Sequence, residues 1–120
     1  MNTHYGIYFN RVDASGTPAS PVPTLVSDRR FDSSIPRMTF NGQLYSLVWQ
    51  NQGGGASRLS MTWLDVEGHL SKQVVDVSDA PVDAKYPIIM WNGTEFGVLW
   101  QERSATEPYR VMFARVACQN

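Results

Sequence analysis

Pro36-Arg37-Met38-Thr39-Phe40-Asn41-Gly42 recurs as Pro87-Ile88-Ile89-Met90-Trp91-Asn92-Gly93, 51 residues further on. The same offset carries Tyr45-Ser46-Leu47-Val48-Trp49-Gln50 onto Phe96-Gly97-Val98-Leu99-Trp100-Gln101. It also carries Asp28 and Asp32 onto Asp79 and Asp83, and Val26-Ser27 onto Val77-Ser78. A further segment occurs three times, at a spacing of 52. Ile7-Tyr8-Phe9-Asn10-Arg11-Val12 corresponds to Leu59-Ser60-Met61-Thr62-Trp63-Leu64 and to Val111-Met112-Phe113-Ala114-Arg115-Val116. The first two copies run on into Asp13-Ala14-Ser15-Gly16 and Asp65-Val66-Glu67-Gly68. Apolar positions, turn glycines and aromatics sharing one offset mark a duplicated unit. The units span roughly residues 28–78 and 79–117, and residues 5–27 form a partial copy.

Each unit reads as four short strands. The first ends at Phe40 or Trp91 and runs into Asn-Gly, a hairpin signal because both residues tolerate positive φ. The second, Tyr45–Gln50 or Phe96–Gln101, is apolar on both faces, which predicts a strand covered on both sides. The thrice-repeated segment is the third strand, and the fourth lies near Thr24–Ser27 and Gln73–Val77. The longest connections are expected over Asp28–Ile35 and Asp79–Tyr86. No stretch holds a 3.6-residue apolar period and the prolines fall in connections, so helix content is expected to be close to nil.

Four-stranded units of this length, with hairpins inside and a longer loop between, are the pattern of β-propeller blades. The motif Pro36…Phe40-Asn41-Gly42…Val48-Trp49-Gln50, with Asn92-Gly93-Thr94, Leu99-Trp100-Gln101 and Phe113-Ala114-Arg115-Val116, resembles tandem propeller-like repeats of bacterial surface and secreted proteins. The resemblance spans nearly the whole chain, but its motifs are structural. It implies a fold and no catalytic residue. The Ser-x-Asp-x-Gly-x-Thr-Trp box of sialidase-type propellers is absent.

With blade strands labelled A to D, the chain reads C-D, A-B-C-D, A-B-C, all-β in a single domain of 120 residues. Propellers close with about 4–8 blades, so two units and a split partial copy cannot close alone. We expect completion by oligomerisation, with the N-terminal D strand completing a neighbour's last blade. A homo-oligomeric ring follows, a trimer of six blades in the favoured form, with one copy of strand C left over. The alternative is a nine-stranded barrel or sandwich, as a monomer or a dimer, and a piece of a larger propeller is the third.

Ten basic and eleven acidic residues give a net charge of −1, which argues against a phosphate-neutralising surface and hence against nucleic acid. Cys118 is the single cysteine, so no intrachain disulfide forms, and an inert thiol is expected. No apolar run approaches the ~20 residues of a membrane helix. Met1–Gly6 lacks the regions of a signal peptide. A soluble chain, cytoplasmic by default, is expected.

The candidate ligand-binding residues are Trp63, Arg11, Arg115, Gln50, Gln101 and Arg103. Trp63 stands where the other copies carry Arg11 and Arg115, so the position tolerates a cation, and Trp beside Arg can stack a sugar and bond its hydroxyls. Against this stands an exposed strand residue packing its stem along a neighbour. Gln50 and Gln101, with Glu102-Arg103, end the second strand near a loop, where binding groups gather on rigid scaffolds. Trp49 and Trp100 share one repeat position and are expected to form core between units. Asp28-Arg29-Arg30-Phe31-Asp32 reads as a self-paired, solvated cluster. His4 and His69 lack ligand spacing, so neither a metal nor any other cofactor is expected. No nucleophile elbow or phosphate loop is present.

These features point to a non-catalytic binding module, carbohydrate-binding and lectin-like, with multivalency raising weak single-site affinity. A protein–protein interaction or scaffold role is the alternative. An enzyme is least supported, because acid–base and nucleophile–base pairs are not visible.

Overall fold

The computed structural model describes residues 4–53, 55–79 and 82–117. Met1–Thr3, Ala80, Pro81 and Cys118, which enter the sequence reading, lie outside them, as does Gly54. The fold is all-β, and among the described residues there is no helix. Among the described residues nine strands form: β1 (Tyr8–Phe9), β2 (Thr24–Leu25), β3 (Asp32–Phe40), β4 (Leu44–Gln52), β5 (Arg58–Asp65), β6 (Val75–Asp76), β7 (Asp83–Trp91), β8 (Glu95–Arg103) and β9 (Arg110–Ala117). They make three antiparallel sheets, ordered β1-β2, β3-β4-β5-β6 and β7-β8-β9.

The strand limits obey the sequence offsets: β7 and β8 begin and end 51 residues after β3 and β4, and β9 lies 52 after β5. The Asn-Gly hairpins are built alike. The Asn41 side-chain oxygen accepts the N–H groups of Gln43 and Leu44 at 2.8 and 2.7 Å. Asn92 does the same for Thr94 and Glu95, both at 2.9 Å. Only the glycines take positive φ there, 100° at Gly42 and 105° at Gly93. Asn thus contributes its side-chain acceptor rather than left-handed backbone.

The expected long connections Asp28–Ile35 and Asp79–Tyr86 are shorter than the sequence suggested. β3 and β7 reach back across Pro36 and Pro87 to Asp32 and Asp83. The register shifts between Ser34 and Arg37 and again between Lys85 and Ile88. Ile35 and Tyr86 sit in the left-handed region, at φ 53° and 57°. Proline cannot donate to the ladder and restricts the residue before it, so the strand passes each proline through a bulge.

The three sheets pack in series. Ile7, Phe9 and Val26 of the N-terminal hairpin bury against Leu47, Trp49 and Leu64 of the four-stranded sheet. On that sheet's other side, Val48, Leu59, Met61 and Trp63 bury against Ala84, Phe96, Val98 and Trp100 of the three-stranded sheet. The two junctions share hydrogen bonds. Ser33 N–H donates to the Tyr5 carbonyl and Ala84 N–H to the Ser57 carbonyl, each at 2.9 Å. The Asp32 carboxylate accepts Tyr5 N–H, and the Asp83 carboxylate accepts Ser57 N–H, each at 2.7 Å. Trp49 and Trp100 are both buried, and each indole N–H donates two residues on, to Asn51 and Glu102.

Candidate functional site

The candidate residues do not converge. Trp63 is 1% exposed within the core between the second and third sheets, and its indole N–H has no protein partner. It presents no ring face to a ligand. The expectation of an exposed position came from its repeat partners, Arg11 and Arg115, which are exposed. The physical reason is positional: in the third copy no further described sheet covers this strand face, and in the first the buried stretch ends at Phe9, so of the three positions only Trp63 is covered. Gln50 is also buried, its side-chain oxygen accepting the Tyr86 N–H at 2.7 Å across the same junction. Arg11 lies apart, on the N-terminal hairpin.

Gln101, Arg103 and Arg115 do share the third sheet. Arg103 lies over the Tyr109 ring, 4.8 Å from its centroid. Arg115 pairs with Glu95 at 3.3 Å. Gln101 is exposed, opposite Val111 in the ladder. The face carrying Gln101 and Arg115 is apolar at its centre. Ladder partners place Leu99 opposite Phe113, Gly97 opposite Arg115 and Ile88 opposite Leu99. Val111 is 73% and Phe113 58% exposed, whereas their repeat partners Leu59 and Met61 are fully buried. Gly97 is part of this surface: a Cβ there would lie 3.0 Å from the Phe113 ring, so glycine lets the ring lie across β8. The outer edge of β9 pairs with no further described strand, whereas β5, its counterpart, pairs with β6.

The sequence pattern does not single out Val111 and Phe113 as surface residues. Apolar residues at core positions of a repeat read as core, and only the lack of a sheet beyond them distinguishes this copy.

A second feature lies on the N-terminal hairpin. A cleft of about 260 Å³ is lined by His4, Tyr5, Tyr8, Leu25, Arg29 and Phe31 among others. Tyr5 and Tyr8 are 72% and 56% exposed, at positions where the next copy carries Ser57 and Ser60.

Four carboxylates are held below their usual range by nearby hydrogen-bond donors and cations. Burial pushes the Asp83 carboxyl up, but the Ser57 N–H, Lys85 and Tyr109 outweigh it and leave it below the usual range. Hydrogen bonds from Arg30 hold Asp28 down to about 2 on the exposed surface. Asp13 and Asp65 are lowered chiefly by backbone N–H groups in their turns, those of Thr17 and His69. Among the described residues no three of His, Cys, Asp and Glu gather where a metal ion could be held, and no helix is long and apolar enough to cross a membrane.

Comparison with protein-family models, with curated proteins and with solved structures finds no match to this chain.

Proposed function

We propose that this chain is a non-catalytic interaction module whose working surface is the outward face of β7-β8-β9. Its sheets are successive blades of an incomplete propeller-like array, and the module acts by accepting further β-structure on that face. One observation carries the reading: Val111 and Phe113 stand in solvent at positions where Leu59 and Met61 are 0% exposed under the next sheet. Contiguous apolar surface of this kind, rimmed by Gln101, Glu95 and Arg115, marks protein contact. The open β9 edge adds main-chain hydrogen-bonding capacity for an incoming strand.

Selection of a random dodecapeptide library on the immobilised chain tests this. Enriched peptides should alternate apolar and polar residues, and their binding should be lost with Val111→Glu and kept with Tyr8→Ser. Enrichment indifferent to Val111→Glu, or no enrichment, would refute the proposal.

The cleft favours a second reading, carbohydrate binding at Tyr5, Tyr8 and Phe31 rather than at Trp63. Aromatic faces beside Arg29 suit a sugar ring and its hydroxyls. Glycan-array binding abolished by Tyr8→Ala would support it, and a blank array would not.

A further inference from the structure

We infer that the partner of the β9 face is a second copy of this chain, whose first full sheet it covers in place of that copy's own N-terminal strand. The inference rests on the interaction reading above and names its partner.

The surface that this face fits is already within the molecule. Tyr45, Leu47 and Trp49 form the face of the four-stranded sheet on which Ile7 and Phe9 lie. Among the three copies of that strand, the first and third share a signature that the middle one lacks: Phe9-Asn10-Arg11-Val12 and Phe113-Ala114-Arg115-Val116, against Met61-Thr62-Trp63-Leu64. The aromatic that the N-terminal hairpin lays on the Tyr45 ring, at 5.3 Å between centroids, is Phe9, and Phe113 is its repeat partner. The outward side chains of β9 thus reproduce those that cover this sheet, with Val111 for Ile7 and Phe113 for Phe9. The junction between the second and third sheets shows that a full C strand can serve there, since β5 carries Leu59 and Met61 into the equivalent contact.

The intramolecular occupant is held by burial of Ile7 and Phe9 and by hydrogen bonds at Tyr5 and Ile7, but its strand ladder is short. β1 and β2 pair through two residues each, Tyr8 with Leu25 and Phe9 with Thr24. β1 lacks a neighbour on its other side, whereas β5 has β4 there. Short ladders of this kind open at low free-energy cost. β9, by contrast, is paired with β8 over eight residues and enters any contact preformed.

The register follows from the repeat. When β9 replaces β1, Met112 comes opposite Leu25 and Phe113 opposite Thr24 of the second copy, as Ser60 lies opposite Asp76 and Met61 opposite Val75 within the chain. β2 then supplies the fourth strand that β9 lacks among the described residues, and the surplus C strand is β1. Gln101 gains the counterpart of the Gln50 bond, the backbone N–H of Ile35 in the second copy, since Ile35 is the repeat partner of Tyr86. The contact is heterologous, one face against a different one, so copies join head to tail and close when the rotation allows. Three copies would place about six sheets around an axis, within the closed range.

The test uses the full chain in a Cys118→Ser background carrying Leu25→Cys and Met112→Cys. Within one chain β2 and β9 do not touch, so mild oxidation should yield disulfide-linked multimers on a non-reducing gel. Sedimentation velocity of the native sequence should show a mass rising with concentration to at least about twice the monomer's. Phe113→Glu should abolish both, and Phe9→Ala, which loosens the intramolecular occupant, should lower the concentration for association about ten-fold. A monomer at every concentration without cross-links, while selected peptides still bind the β9 face, overturns the second-copy assignment and leaves the interaction reading standing. Association unaffected by Phe113→Glu overturns it as well. Loss of peptide binding alongside a strict monomer overturns both.

Discussion

The side-chain oxygen of Gln50 accepts the backbone N–H of Tyr86 at 2.7 Å, tying the end of β4 to the bulge of β7. Both groups lie where two sheets meet, and Tyr86 sits in the left-handed region at φ 57°. A left-handed aromatic residue stores strain of about 1–3 kcal/mol and persists when its surroundings over-determine it. Gln50 is one of those constraints.

Gln50→Ala is expected to lower stability by about 1–3 kcal/mol, the cost of leaving a half-buried N–H without its acceptor. Gln101→Ala, at the repeat-equivalent but exposed position, should fall within about 0.5 kcal/mol of the native chain in dilute solution. Urea denaturation of both variants measures the difference.

Trp63→Ala should cost about 3–5 kcal/mol, because it empties a core position at the junction of two sheets. Its repeat partner gives the contrast, with Arg115→Ala expected to change stability by less than about 1 kcal/mol. Equal effects from the two substitutions would contradict the placement of Trp63, and thermal unfolding distinguishes them.

Acid should weaken the junction that Asp83 holds. The folded-state pKa of Asp83 lies below 3.8, so its contribution is fully present above the unfolded value and is lost as pH falls through the folded one. In Asp83→Asn the fall in stability as pH drops below about 4 should be shallower. Denaturant midpoints measured across that range check the slope.

Val111→Glu and Phe113→Glu should leave the monomer as stable as the native chain to within about 0.5 kcal/mol, since both side chains are exposed. Circular dichroism melts at low concentration would show this. A loss of several kcal/mol would mean that these residues serve the monomer's own core.

Much of the architecture could be read from residues alone. The Pro…Asn-Gly spacing placed β3, β4, β7 and β8, and the triple occurrence of one segment placed β1, β5 and β9. What could not be read was which copy of a repeated position is buried. Trp63, Arg11 and Arg115 are one position in three settings, and Trp63 is the copy that the adjoining sheet covers. Gln50 and Gln101 differ for the same reason. Local pattern sets which way a side chain points, but burial depends on what the rest of the chain puts beyond it. The bulges at Ile35 and Tyr86 were also illegible, since a proline after either residue suits a loop as readily as an edge strand.

Those two bulges give the molecule a direction. Pro36 and Pro87 lie in β3 and β7, the outermost strands on one side of their sheets, and a kinked, donor-poor border resists recruitment of another strand. The opposite border, along β9, carries no such guard. The β7 flank is therefore the less receptive of the two to an added strand, and the β9 flank the more receptive.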